Sequence, residues 1–258
     1  VAKMIASLQS SRVFALSILA GLIAGGIAVA ANAALVQPYT NAIVELWIDE
    51  LLAEGEFDEE EFDLQTQSIY SSQVTGYIIN GLAAGALVGG VYVFSSSSSN
   101  SKLPTAAATT TTIITITSPF KIAVMIAGAA WFVLYVVPAV KYPPSPEALL
   151  DSEAAGSYYL LYAGYVTVSG LSALGIATGF RRVKRKDKVF GMAALYLAVM
   201  AAVFFAFPDY QEDTLLFPQP VVNAWRASIS AAMTALWFAA GMISGLLWTY
   251  GRKSAKAV

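Results

Sequence analysis

Two cations in this chain stand where their surroundings are acidic. Lys141 occurs in Val137-Pro138-Ala139-Val140-Lys141-Tyr142-Pro143-Pro144, and Arg226 in Val221-Val222-Asn223-Ala224-Trp225-Arg226. Each sits at the end of a long apolar stretch. A cation held at the edge of hydrocarbon needs partners, and Glu45, Asp209 and Asp213 fall in the same set of connections. Two chemistries follow. In the first, Lys141, Arg226 and Glu45 brace the outer connections through ion pairs or carbonyl contacts. In the second they form a gate facing an anion. A bare positive pair would repel a metal cation, so cation passage requires that they be neutralised.

Polar groups inside the apolar stretches are few. Asn32 and Asn80 are the amides, Gln37, Gln73 and Asn223 lie at stretch ends, and Thr167, Ser169, Ser172, Thr178, Ser228, Ser230 and Thr234 supply hydroxyls. Intramembrane polar groups face the bundle interior. They can line a cation path, with Asn32 and Asn80 as its candidates, or bond helix to helix. The run Glu54-Gly55-Glu56-Phe57-Asp58-Glu59-Glu60-Glu61-Phe62-Asp63 lacks the alternating ligands and fixed glycine of a calcium loop. It reads as a solvated acidic loop, or as a weak collector of divalent cations through Glu56, Asp58, Glu59, Glu60, Glu61 and Asp63.

Enzymatic chemistry is not expected. The chain has no cysteine and no histidine, which removes disulfides, thiolate sites and the commonest general base. No phosphate-cradling loop or helical zinc motif is present, and no intrinsic cofactor is expected. The basic run from Arg181 to Lys188 is topogenic charge rather than a nucleic-acid site.

The elements that must position these groups are six apolar stretches, at 13–36, 74–94, 120–139, 158–180, 189–207 and 225–248. Crossing ~30 Å of hydrocarbon takes about 20 apolar residues as helix. A hydrophobic content of 57% and a charged content of 12% agree, since soluble domains carry about 25% charged residues. Sixteen of the 17 acidic residues fall in the first, third and fifth connections, Asp187 being the exception. Thirteen of the 15 basic residues lie in the termini and the second and fourth connections, counting Lys121 at the edge of its stretch. Basic residues are retained in the cytoplasm. The expected fold is therefore all-α: one polytopic domain over 1–258 with six transmembrane helices and both termini cytoplasmic. An acidic extracytoplasmic loop spans 37–73, and a Ser/Thr-rich cytoplasmic linker spans 95–119. The first stretch is about twice the length of a signal peptide's apolar region and is expected to be retained.

Pro38 is expected to end the first helix, with Thr40 or Asn41 capping a short helix to about Ala53. Pro138 and Pro208 stand at the equivalent ends of the third and fifth helices, which suggests three hairpins. Glycines four apart on helices 1, 2, 4 and 6 (Gly21/Gly25, Gly81/Gly85/Gly89, Gly175/Gly179, Gly241/Gly245) predict close approach. Helices 3 and 5 lack the spacing and are placed toward lipid or a partner.

Three segments resemble the CbtA-type predicted cobalt transporter family. They are 21–45, with its glycine-rich helix and Gln37-Pro38; 131–146, from Trp131 into Pro138-Ala139 and Lys141-Tyr142-Pro143-Pro144; and 217–237, with Phe217-Pro218 and Trp225-Arg226. The order and spacing of these segments carry the resemblance, not a single motif. It implies movement of cobalt(II) across a prokaryotic plasma membrane. It also implies a small single-helix partner bearing histidines, which would supply ligands that this chain lacks. The acidic insert and the Ser/Thr linker are not features of the family core. The leading reading is thus a membrane subunit of a divalent metal (cobalt) transporter. The alternative is an accessory or structural subunit of a larger membrane complex. A polar cavity joining Asn32, Asn80 and the outer loop would favour the first, and a sealed dry bundle the second.

Overall fold

A computed structural model describes residues 2–55, 59–97, 118–180, 188–210 and 217–254, with six helices long and apolar enough to cross a membrane. The described elements are α1 (Ala2–Ala31), α2 (Gln37–Glu54), α3 (Glu59–Ser97), α4 (Pro119–Trp131), α5 (Val137–Lys141), α6 (Glu147–Leu150), α7 (Ser152–Gly179), α8 (Lys188–Ala206) and α9 (Gln219–Ser254). Most of the Ser/Thr-rich segment, at 98–117, and of the basic run, at 181–187, lies outside the described residues.

Pro38 does not end the first helix. Instead, α1 runs through a π-turn at Asn32–Val36 directly into α2. Proline has no N–H, and its ring collides with the carbonyl four residues back. Widening the preceding turn, so that Gln37 N–H reaches Asn32 O, lets the rod continue. The third span uses the same device. A π-turn at Phe132–Val136 precedes Pro138, and Val137 N–H reaches Phe132 O. Only the fifth span stops at its proline, α8 ending at Ala206 before Pro208. Thr40 and Asn41 cap nothing, being mid-rod. Thr40 is buried and accepts from Trp225 Nε1 at 3.1 Å, and Asn41 Oδ1 accepts from Tyr70 OH at 2.8 Å.

The segment expected as an acidic loop is mostly a helical hairpin. The first rod runs 44 residues from Ser10 to Ala53, or about 66 Å at ~1.5 Å per residue, roughly twice the hydrocarbon thickness. It turns at Gly55, whose φ of 77° is left-handed and favours glycine at this position. The return arm opens with Glu59, Glu60 and Glu61, acidic residues at the positive end of a helix dipole. Trp47 against Phe62, at 6.0 Å between ring centroids, and buried Ile43, Val44 and Ile69 hold the arms together.

The core is four helices. Between 33% and 39% of the most apolar window is buried in spans 1, 2, 3 and 6, against 11% in spans 4 and 5. Glycine packing explains the first pair. A Cβ on Gly21 would lie 2.2 Å from Gly81 O, and one on Gly85 would lie 2.2 Å from Ser17 O, so α1 and α3 touch backbone to backbone. On α9, Gly241 and Gly245 meet Ala127 and Phe120 of α4 in the same way. This corrects the expected arrangement: span 3 is central, because alanines serve where glycines were sought. Gly175 and Gly179 of α7 face open space, so span 4 is peripheral. Span 5 is peripheral, as its composition suggested.

Spans 4 and 5 attach through the backbone that Pro138 disturbs. In π geometry Val133 O would take the N–H of residue 138, which proline lacks. Ser169 Oγ of α7 donates to Val133 O instead and also contacts Tyr196 OH of α8 at 2.7 Å.

Candidate functional site

A cavity of about 730 Å³ lies at the end of the bundle marked by the three prolines. Six segments build it. The π-turn contributes Asn32 and Val36. One face of α3 contributes Ser68, Ser72, Gly76 and Asn80, which recur every four residues. The third span adds Tyr135 and Ala139, the following loop adds Ser145 and Asp151, α7 adds Tyr158, Tyr159 and Tyr162, and α9 closes the far wall with Trp225 and Met233. Ser68, Ser72, Asn80 and Tyr159 are exposed, which marks the opening between α3 and α7.

Asn32 is 5% exposed. Its Nδ2 donates to Gln73 Oε1 at 3.1 Å, and its Oδ1 has no hydrogen-bond partner. A buried polar atom left unpaired costs about 1–3 kcal/mol. The π-turn places this amide here: the widened turn sets Asn32 and Val36 toward the interior while Ala33, Ala34 and Leu35 face outward. Other wall groups are engaged. Tyr135 OH donates to Ser230 Oγ at 2.9 Å, Tyr158 OH to Pro143 O at 3.1 Å, and Gln65 Nε2 to Leu150 O. The Asp151 Oδ1 accepts from Glu153 N at 2.8 Å, capping α7.

Below the cavity the bundle is closed. Ala24, Ala28, Ala84, Ala232, Leu236 and Ala240 are fully buried in one apolar cluster. At the opposite end Trp248 packs against Tyr92, with ring centroids 4.3 Å apart and the planes tilted by 33°, and its Nε1 donates to Ser17 Oγ at 3.0 Å.

Lys141 and Arg226 stand outside the cavity and are held. The Lys141 side chain is 4% exposed, pairs with Asp209, and lies 4.6 Å from the Phe204 ring centroid. Arg226 Nε donates to Pro144 O at 2.8 Å. Each therefore ties a helix end to a connection. Between them Tyr142 donates to Pro208 O, and burial, then the Asp209 carboxylate and Tyr165, hold its phenol above the ordinary tyrosine range. Glu45 is exposed on α2. Of the acidic run, Glu56 and Asp58 lie outside the described residues, as does Asp213. Glu59, Glu60 and Asp63 are exposed, and Glu61 lies on the same first turns of α3. No cluster of three His, Cys, Asp or Glu able to hold a metal occurs among the described residues.

The structure thus brings Asn32 and Asn80 to one cavity and leaves the cations at its rim. The tyrosine wall was not anticipated from the sequence. Its signal is Tyr158-Tyr159-x-x-Tyr162, polar-tipped rings at helical spacing. The Ser68/Ser72/Gly76/Asn80 stripe is legible on the same grounds.

A family model described as "Probable cobalt transporter subunit (CbtA)" matches residues 10–249. No curated protein and no solved structure matches the chain.

Proposed function

The chain belongs to the CbtA family of probable cobalt transporter subunits, and from that premise we propose that the cavity is the entry vestibule for cobalt(II). It is a multi-pass membrane protein by its six spans. Charge sorting supports a prokaryotic plasma membrane orientation with both termini cytoplasmic and the proline end outside. The observation that carries the reading is a cavity opening between α3 and α7 whose mostly apolar wall carries the Asn32 and Asn80 amides and several hydroxyls, with packed helices beneath it. That is the form of one state of an alternating-access path. Carboxylates near Glu59, Glu60 and Asp63 raise the local cation concentration outside. Asn32 and Asn80 line the path inward. A histidine-bearing single-helix subunit would supply the imidazoles that this chain lacks.

Cobalt uptake into proteoliposomes containing the chain, with and without the subunit that co-purifies with it, tests this. The expected result is saturable uptake above protein-free vesicles. No uptake, together with stable co-purification in a large enzyme complex, would sink the transport reading and favour an accessory subunit.

Lys141 and Arg226 act as braces in this reading. Neutralising Lys141 through Asp209 removes the repulsion a cation would otherwise meet. Arg226→Ala deletes a charged hydrogen bond worth about 1.5–3 kcal/mol. Folded yield in detergent, read by size-exclusion chromatography, should fall. Normal yield with lost uptake would instead make Arg226 a gate.

A further inference from the structure

Resting on the reading of the cavity as a cobalt vestibule, we infer that it receives the ion with its first shell of water intact. The donor set points there first. The wall is mostly apolar, with neutral amide, hydroxyl and phenol oxygens and a single carboxylate, exposed Asp151, one oxygen of which caps α7 through Glu153 N. The chain has no imidazole or thiolate. Neutral oxygens are poor substitutes for water around cobalt(II), which favours imidazole. The cost of stripping water from an ion in a low-dielectric site rises with the square of its charge, and no group of three His, Cys, Asp or Glu able to hold the bare ion occurs among the described residues to offset it.

Size agrees. Six waters occupy roughly 180 Å³ at about 30 Å³ each, and the cavity offers about 730 Å³. A hexahydrate enters with water to spare, whereas a bare ion would be out of reach of most of the wall. Asn32 supplies the third observation. Asn32 lines the wall and its buried Oδ1 has no partner; water on a divalent cation is a strengthened donor, able to satisfy that acceptor once the amide turns toward the cavity. Asn80, Ser68 and Ser72 offer further outer-shell contacts at the opening. Such a site reads the size and charge of the hydrated ion, not the ligand preference of the metal.

Hexaamminecobalt(III) tests this, because its six ammonias do not exchange and present N–H donors where the hydrated ion presents O–H. The full chain, with whatever co-purifies, is placed in zwitterionic nanodiscs and dialysed against it. Saturable binding is expected, displaced by Co²⁺, Ni²⁺ and Mn²⁺ at concentrations within about tenfold of one another. Asn80→Leu, on an exposed helix face, and Asn32→Leu should each weaken it at least tenfold. Binding of Co²⁺ but not of hexaamminecobalt(III), with metals ranked Mn²⁺ < Co²⁺ < Ni²⁺, overturns the inference while leaving cobalt transport standing. Hexaammine binding unaltered by both substitutions also overturns it, and places the ion on the acidic exterior. If neither ion binds, the cavity is no cation site. Uptake by the same preparation then decides the transport reading separately.

Discussion

Gly21→Val should cost the protein its fold, while Gly175→Val should leave it intact. Both glycines belong to the same small-xxx-small pattern, one at Gly21/Gly25 and the other at Gly175/Gly179. At Gly21 a Cβ would meet Gly81 O at 2.2 Å and the Gly85 backbone at 2.9 Å. Neither neighbour is a side chain that can swing away, so α1 and α3 must part along their whole contact. Overpacking a core costs about 1–3 kcal/mol where side chains can yield, and here they cannot. The contact also joins the rod that carries Asn32 to the helix that carries Asn80, so the cavity wall is lost with it. At Gly175 nothing lies within 4 Å, and the expected change is within about 0.5 kcal/mol. Thermal unfolding midpoints and monodispersity in detergent, measured for both variants side by side, decide the matter. Equal tolerance at the two sites would show that the close approach of α1 and α3 is not what holds the bundle.

Asn32→Leu should retain the fold and lose transport. The wild-type amide is half satisfied: Nδ2 is bonded to Gln73 Oε1, and Oδ1 has no partner. Leucine removes the orphaned Oδ1 together with its desolvation cost, which offsets the lost bond to Gln73. Gln73, half-buried at the cavity wall, can turn its freed oxygen to water. The functional cost falls on the cavity wall, which loses an amide where an ion must leave bulk water. Initial cobalt uptake should drop at least tenfold, about 1.4 kcal/mol or more in the barrier, with an unchanged thermal midpoint. An unfolded variant would make Asn32 a structural bond between α1 and α3. Normal uptake would remove it from the path.

Local sequence was sufficient for the spans. Each of the six apolar stretches is long enough that its backbone bonds must close within a helix in lipid, and all six lie largely within described helices. The absence of histidine and cysteine limits the metal chemistry whatever the fold. Asn32 and Asn80 were legible as interior groups because an amide in a membrane helix is costly anywhere else. What Pro38 does was not legible. A proline either stops a helix or is absorbed by a widened turn, and that depends on whether the continuing rod finds something to pack on. Here α2 finds Trp225 through Thr40, and Phe62 through Trp47.

The same limit applies to the glycines. Gly21/Gly25 and Gly175/Gly179 are equivalent along the chain, and only the first pair has a backbone opposite it. Alanines on α4 do for span 3 what glycine spacing was expected to do elsewhere. The cavity is the clearest case. Its residues come from six segments between Asn32 and Met233, and no local pattern states that they meet. Composition and charge order determined how many helices there are and which groups must avoid lipid. Only tertiary structure decided which faces pack to contact and which stand apart, because that is set by side-chain volume between elements distant in sequence.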